Sequence, residues 1–197
     1  MTIEVLLVLL AYLFGSVSSA VLVCRALRLP DPRASGSLNP GATNVLRIGG
    51  RPAAAMTLAG DFLKGALPVS LVLTFGASAP LTAAVGVAAF LGHLFPVFFG
   101  FRGGKGVATG FGVLLGWSWQ AFIGTVGVWL LIAALFRYSS LAGMSSFVLA
   151  ALWLWLLGEP PPYVIGMLIV AGATLWRHQS NIRNLLDGTE KKLGEKG

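Results

Sequence analysis

Three clusters of polar residues in this chain have the make-up of anion-binding sites. The first, Ser35 to Arg47, packs Ser37, Asn39, Gly41, Thr43 and Asn44 into 13 residues and ends in Arg47. Glycine lets backbone N–H groups turn toward one point, which makes a nest for an anion. Thr43 is suited to cap a short helix whose N-terminus would add donors. Arg47 offers a planar fork that matches phosphate. The second cluster, Phe101 to Thr109, sets Gly103, Gly104 and Gly106 around Lys105 ahead of a helix. Backbone donors, a helix dipole and a mobile ammonium make phosphate-loop chemistry, although the spacing is not that of a Walker A loop. The third, Arg177 to Arg183, holds His178 and Asn181 three residues apart, hence on one face of a helix. A histidine beside an amide can hold a hydroxyl and take its proton. Each cluster also has a plainer reading: a solvated turn-rich loop, a basic turn anchoring a helix, and a polar cap on the last helix.

Other polar residues interrupt apolar runs. Asp61 and Lys64 are three apart in the second run, and charged side chains at membrane depth usually face the protein interior. Mutual pairing that supports the fold is the favoured reading. His93, in Gly92-His93-Leu94-Phe95-Pro96, reads as a packing histidine. Ser139 and Ser140 follow Tyr138 at a helix boundary, where serine often caps.

The elements that carry these residues are membrane helices. Of the 197 residues, 56% are hydrophobic and 11% charged. A soluble domain carries roughly 25% charged residues, so the chain lacks the polar surface to cover a water-soluble globule. Apolar runs cover Ile3–Cys24, Ala53–Phe75, Leu81–Phe99, Val107–Trp119, Ala121–Phe136, Leu141–Leu157 and Tyr163–Trp176. These predict an all-α integral membrane protein of seven transmembrane helices, with residues 1–197 forming one polytopic domain. The runs are continuous rather than alternating, which argues against a transmembrane barrel. The fourth run is short for a bilayer core of ~30 Å. Cys24 is the one cysteine, so no internal disulfide forms, and with His93 and His178 alone beside it a Cys/His metal site is not expected.

Charge sets the expected orientation. Seven spans put Arg25, Arg28, Arg33, Arg47, Arg51, Arg102, Lys105, Arg137, Arg177, Arg183, Lys191, Lys192 and Lys196 on one side, leaving Lys64 within a span. The positive-inside bias makes that side cytoplasmic, with the amino terminus outside and the carboxyl terminus inside. Fusing runs four and five would give six spans and break this pattern. The net charge of +7 therefore reports topology, and no nucleic acid is implied. Short helices or loops on the cytoplasmic face hold the three clusters.

Taken in order, these residues resemble the bacterial acyl-phosphate:glycerol-3-phosphate acyltransferases (PlsY type). The resemblance covers nearly the whole chain. It rests on Gly15-Ser16, Asp31-Pro32-Arg33, Ser35 through Arg47, Gly92-His93, Pro96 through Thr109, Ser139-Ser140, and His178 through Asn181 with Glu190. It implies a seven-span inner-membrane enzyme whose active site faces the cytoplasm. The implied reaction moves a fatty acyl group from acyl phosphate to the 1-hydroxyl of sn-glycerol 3-phosphate. The products are 1-acyl-sn-glycerol 3-phosphate (lysophosphatidate) and inorganic phosphate. Acyl phosphates are activated, so no cofactor, coenzyme A or metal is implied. Substrate phosphate is expected at Ser37, Asn39, Gly41, Thr43, Asn44, Arg47, Gly103, Gly104, Lys105, Gly106 and Ser139. His178 and Asn181 are expected to hold the acceptor's hydroxyls, with Asp61, Lys64, His93 and Glu190 as structural support. The base is either His178 or a phosphate oxygen of a substrate.

Two positions depart from the family pattern. Leu38 stands where many members have Gly, and Asn184 where Arg is common, with Arg183 one place earlier. Ser37 and Ser139 lack a triad partner, and no His-x-x-x-x-Asp motif follows His93 or His178. The rival readings are a transporter for a small phosphorylated solute, which would need polar sites on both faces, and a scaffold without chemistry.

Overall fold

The computed structural model describes residues 2–195. Lys196, counted above among the cationic residues, lies outside them. The described chain is all helical. Its helices are α1 (Ile3–Gly15), α2 (Ser19–Ala26), α3 (Ala42–Thr74), α4 (Ala79–Leu94), α5 (Val107–Trp117), α6 (Trp119–Phe136), α7 (Ser139–Leu156), α8 (Pro161–Arg177) and α9 (Gln179–Leu186).

The partition of side chains is that of a membrane protein. Large aliphatics face outward, including Leu71, Leu130, Leu135, Ile165 and Leu168, while Asp61, Lys64, Thr82, His93, Thr109 and Ser146 are buried. Water would reverse that order; lipid favours it, because polar groups then find partners inside the protein. Four helices are long and apolar enough to cross a bilayer: α3, α4 with the turn after it, α6 and α7. The pair α1–α2 makes a fifth when counted as one bent span. At 11 residues, α5 is roughly 16 Å long.

Local chemistry explains the breaks. The first apolar run is not one helix, since α1 and α2 meet at a bend of 41°. Ser16 Oγ there donates back to the Tyr12 carbonyl at 2.8 Å, an interaction that bends helices. Gly50, at φ 76°, divides α3 into a short segment and the long apolar one. Between α5 and α6, Ser118 is extended and its hydroxyl accepts the Ala121 N–H at 3.2 Å. Runs four and five are therefore separate helices, as the charge pattern required.

Close helix contacts depend on glycine. A Cβ at Gly65 or Gly112 would strike the backbone carbonyls of Thr109 or Phe62, so α3 and α5 touch backbone to backbone. Gly15 and Gly92 do the same for α1 against α4. The core lies around α4, with Phe90, Leu94, Leu114, Phe147, Leu154 and Met167 fully buried.

Candidate active site

The four cation-bearing segments, after α2, α4, α6 and α8, converge at one end of the bundle. In the first, residues 27–41, Asp31 takes a fork of hydrogen bonds from Arg33, with Nη2 at 2.7 Å from Oδ2. That guanidinium is the main cause holding the Asp31 carboxyl down to about 2. Arg33 also donates to the Phe99 carbonyl at 3.4 Å, which ties this segment to the one after α4.

Asn44 closes the same loop. Its Oδ1 accepts the Ser37 N–H at 2.8 Å, and its Nδ2 donates to the carbonyls of Pro32 and Ser35, each at 2.9 Å. At 1% exposure it is a staple for the loop and presents no free N–H to a ligand, contrary to its expected phosphate contact. Thr43 does not cap: α3 starts one residue earlier, behind Gly41, and has no side-chain cap. The Gly41 N–H is bonded to the Asn39 carbonyl. The Ser37 side chain is exposed, Asn39 is half-buried, and Leu38 between them adopts φ 59°. That left-handed backbone is one that glycine tolerates best.

Lys105 is the hub of the second and fourth segments. Its Nζ donates to Asn181 Oδ1 at 2.5 Å, and Asn181 Nδ2 donates to Glu190 Oε1 at 2.7 Å. Ser140 Oγ donates to the same Glu190 oxygen at 2.5 Å. Glu190 returns to α9 because Gly188, at φ 69°, reverses the chain just after it. Burial lowers the Lys105 pKa; Glu190 opposes that, while Arg177 and Arg47 reinforce it. These charges therefore form one electrostatic group. Asn181 keeps one N–H and one lone pair for a substrate.

The glycines around Lys105 serve a steric purpose. A Cβ at Gly103 would collide with the His93 carbonyl, and one at Gly104 with His93 Nε2. The Gly104 N–H is bonded to that His93 carbonyl at 3.3 Å. The carbonyls of Gly103 and Gly104 accept from Arg177, at 2.6 and 3.1 Å. Gly106, at φ 84°, caps α5 against Phe90. The expected nest of convergent amides is thus partly occupied, and Lys105 is a cation of the segment, its ammonium turned to Asn181.

His178 is buried between α8 and α9. Its Nδ1–H donates to the Thr174 carbonyl at 2.7 Å, which leaves Nε2 as an acceptor. Burial pushes its pKa down to about 4, and the positive charges of Lys105 and Arg177 act in the same direction. Arg47 is half-buried in a groove of about 440 Å³ lined also by Thr43, Leu46, Lys192, Leu193, Gly194 and Glu195. The tail segment forming its far wall is held by Arg137, whose Nη2 donates to the Leu193 carbonyl at 3.1 Å.

Deeper in the bundle, Lys64 pairs with Asp61 at 2.9 Å, and His93 Nδ1 lies 3.6 Å from the same carboxylate oxygen. Among the described residues, no three of His, Cys, Asp and Glu converge as metal ligands do.

Sequence reasoning missed Arg177 and Ser140. Arg177 opens the third motif but was assigned no role. Ser140, not Ser139, reaches Glu190; the two are adjacent, and helix phase alone separates them.

Comparison with known proteins supplies the family. The model of the family described as "Glycerol-3-phosphate acyltransferase" matches residues 5–188. The chain belongs to the glycerol-3-phosphate acyltransferase family. A protein of that name from Methylococcus capsulatus is 52% identical over 196 residues, covering 100% of this chain and 99% of its own. The one from Halorhodospira halophila is 50% identical over 194 residues, 98% of each chain. The fold is similar to crystal structures of PlsY (YgiH), an integral membrane glycerol 3-phosphate acyltransferase. Its glycerol 3-phosphate form superposes with a TM-score of 0.93 at 38% identity, covering 98% of this chain and 96% of that one. Its lysophosphatidic acid form gives 0.91 at 37% identity, with the same coverage. The family expected from the motifs is therefore the family found, and the chain is a multi-pass membrane protein.

Proposed function

We propose that this protein acylates the 1-hydroxyl of sn-glycerol 3-phosphate with acyl phosphate, at the Lys105–Asn181–Glu190 network. The observation that carries the proposal is the Lys105–Asn181 hydrogen bond, which joins the glycine segment to the His178 face. Relatives that share the whole chain are named for this acceptor, and PlsY has been crystallised in glycerol 3-phosphate and lysophosphatidic acid forms.

In this mechanism Lys105 and Arg47 hold substrate phosphates, with Ser37, Asn39 and Ser139 as neutral contacts. Charge-assisted contacts to phosphate are the stronger ones. His178 Nε2 and the spare valences of Asn181 position the acceptor hydroxyls. The 1-hydroxyl oxygen attacks the acyl carbonyl carbon, a carbon–oxygen ester bond forms, and the carbon–oxygen bond to phosphate breaks. The hydroxyl proton goes to a phosphate oxygen. A phosphate monoester has a second pKa of about 6, so it is a better base at neutral pH than an imidazole at about 4. Asn44 and Glu190 hold the loops, and Arg177 pins the glycine segment through its carbonyls.

The proposed topology has seven crossings, with α1–α2 as the first, α5 as a short fourth, the amino terminus outside and the site facing the cytoplasm of the inner membrane. The positive-inside bias supports it. So do the contacts Arg33–Phe99, Lys105–Asn181 and Ser140–Glu190, which join the four cation-bearing segments at one end. Gly103, Gly104 and Gly106 are buried, so irregular backbone extends the path of the short α5 without meeting lipid.

Radiolabelled glycerol 3-phosphate offered to the purified protein in vesicles tests the reading. Acylation with acyl phosphate, and little with acyl-coenzyme A, is expected. Accumulation of unmodified label inside the vesicles would favour a transporter.

A further inference from the structure

The buried Asp61–Lys64–His93 cluster lies outside the proposed site, yet it touches the segment that carries Lys105. Lys64 Nζ donates to the Val17 carbonyl at 2.8 Å, a group released by the break between α1 and α2. Thr109 Oγ1 donates to the Asp61 carbonyl at 2.8 Å. The cluster thereby joins α1–α2, α3, α4 and α5. All three side chains are at most 5% exposed.

His93 is the member that meets the site. Its Nδ1 faces Asp61 at 3.6 Å, and its Nε2 edge abuts Gly104. Its backbone carbonyl accepts the Gly104 N–H at 3.3 Å and lies where a Cβ of Gly103 would be. Ring and backbone of one residue therefore contact both residues that precede Lys105. The Pro40 carbonyl, from the Arg47 segment, lies within 3.0 Å of a Cβ built at Gly104. The two candidate anion-binding segments meet at Gly104, against which this imidazole packs.

Charges at membrane depth are a costly way to join helices, and aliphatic packing would serve for that alone. At 3.6 Å the carboxylate is beyond hydrogen-bond distance of the ring, but its charge favours the orientation that turns an Nδ1–H toward it. We infer that His93, oriented by the Asp61–Lys64 pair, is a positioning residue for Lys105. It sets the seat of Gly103–Gly104 and so the place where the ammonium meets substrate phosphate. The inference rests on the proposed reading of Lys105 as a phosphate ligand.

Kinetics of His93→Ala, His93→Gln and His93→Ala in a Lys105→Ala background test it. His93→Ala is expected to lower kcat/KM for glycerol 3-phosphate at least tenfold, mainly through KM. His93→Gln should recover most of that loss. In the Lys105→Ala background the His93 substitution should cost nothing further, because it acts through Lys105. Wild-type kinetics in His93→Ala, or losses that multiply in the double variant, would overturn the inference. If His93→Ala does not fold, Gly104→Ala reports the same contact from the other side, with a tenfold rise in KM expected and an unchanged KM contradicting it. Calorimetric binding of glycerol 3-phosphate reads the seat without turnover. Binding that is tenfold weaker in the variant supports the inference, and unchanged binding overturns it. No acylation by the wild-type protein would instead defeat the functional reading.

Discussion

Two polar clusters lie within one loop of each other and follow opposite rules. In the deep one, Asp61, Lys64 and His93 are almost fully buried and face one another or backbone carbonyls. In the shallow one, Lys105, Asn181 and Glu190 are half-buried, and the network ends on groups with capacity to spare. Both contain a lysine and a carboxylate. The difference teaches that residue type alone does not mark a site. A closed cluster stabilises an arrangement of helices. An open one, held in place by Ser140, Arg177 and the returning tail, can exchange an internal partner for a ligand.

Breaking the deep cluster should have the largest effect. Asp61→Asn leaves the Lys64 ammonium buried without its partner, a change that typically destabilises by about 3–5 kcal/mol. Asp61→Asn with Lys64→Met should restore most of that, as read by thermal unfolding in detergent. A double variant no more stable than the single would show that the pair is not the source of the loss.

The shallow cluster should respond in activity with little change in folding. Lys105→Ala and Arg47→Ala each remove a proposed charged hydrogen bond to substrate phosphate, on the order of 1.5–3 kcal/mol, so each should lower kcat/KM at least tenfold. Arg47→Lys should not restore full activity, because an ammonium cannot reproduce the guanidinium fork. Wild-type kinetics in either alanine variant would remove that cation from the site.

His178 sharpens the contrast through pH. With its pKa at about 4, it is neutral from pH 5 upward and should produce no limb in the rate near pH 6.5. The sign for stability follows from the same depression: the unfolded residue binds its proton first as pH falls. Its contribution is thus full above the ordinary value of 6.5 and is lost on acidification toward about 4. His178→Gln should keep much of the rate and raise KM. A several-thousandfold loss in kcat at constant KM would instead make His178 the base.

The smallest effect is expected at Leu38. Its side chain is exposed and its φ is 59°, so Leu38→Gly gives up little packing. Left-handed backbone costs an L-residue roughly 1–2 kcal/mol, offset by the roughly 0.5–1 kcal/mol flexibility cost of glycine. A stabilisation of about 0.5–1 kcal/mol should appear as a modest rise in Tm; a fall would locate strain elsewhere.

Helix existence was legible because apolar runs and charge report the bilayer directly. The charge pattern kept the runs beginning at Val107 and Ala121 distinct, whereas the break itself, at Ser118, lies inside the fourth apolar run and shows only in the fold. The break at Ser16–Ser18 was not legible, since serine within an apolar run is compatible with a continuous helix. The motifs announced Arg47, Lys105, His178 and Asn181, whose types suit the proposed chemistry. They did not reveal that Asn44 turns inward or that Gly104 is needed for His93. Those facts depend on contacts between residues far apart in the chain. Glu190 was read as a tail anchor, but its approach to Asn181 depends on one chain reversal at Gly188.

The most direct measurement offers purified protein acyl phosphate and labelled glycerol 3-phosphate, counts lysophosphatidate and inorganic phosphate, and runs Lys105→Ala and the Asp61→Asn/Lys64→Met variant alongside. The account predicts equal amounts of the two products from the wild type. It predicts a loss of at least tenfold in Lys105→Ala and a smaller one in the paired variant. Phosphate release without acylated glycerol 3-phosphate, or a Lys105→Ala variant as active as wild type, would contradict it.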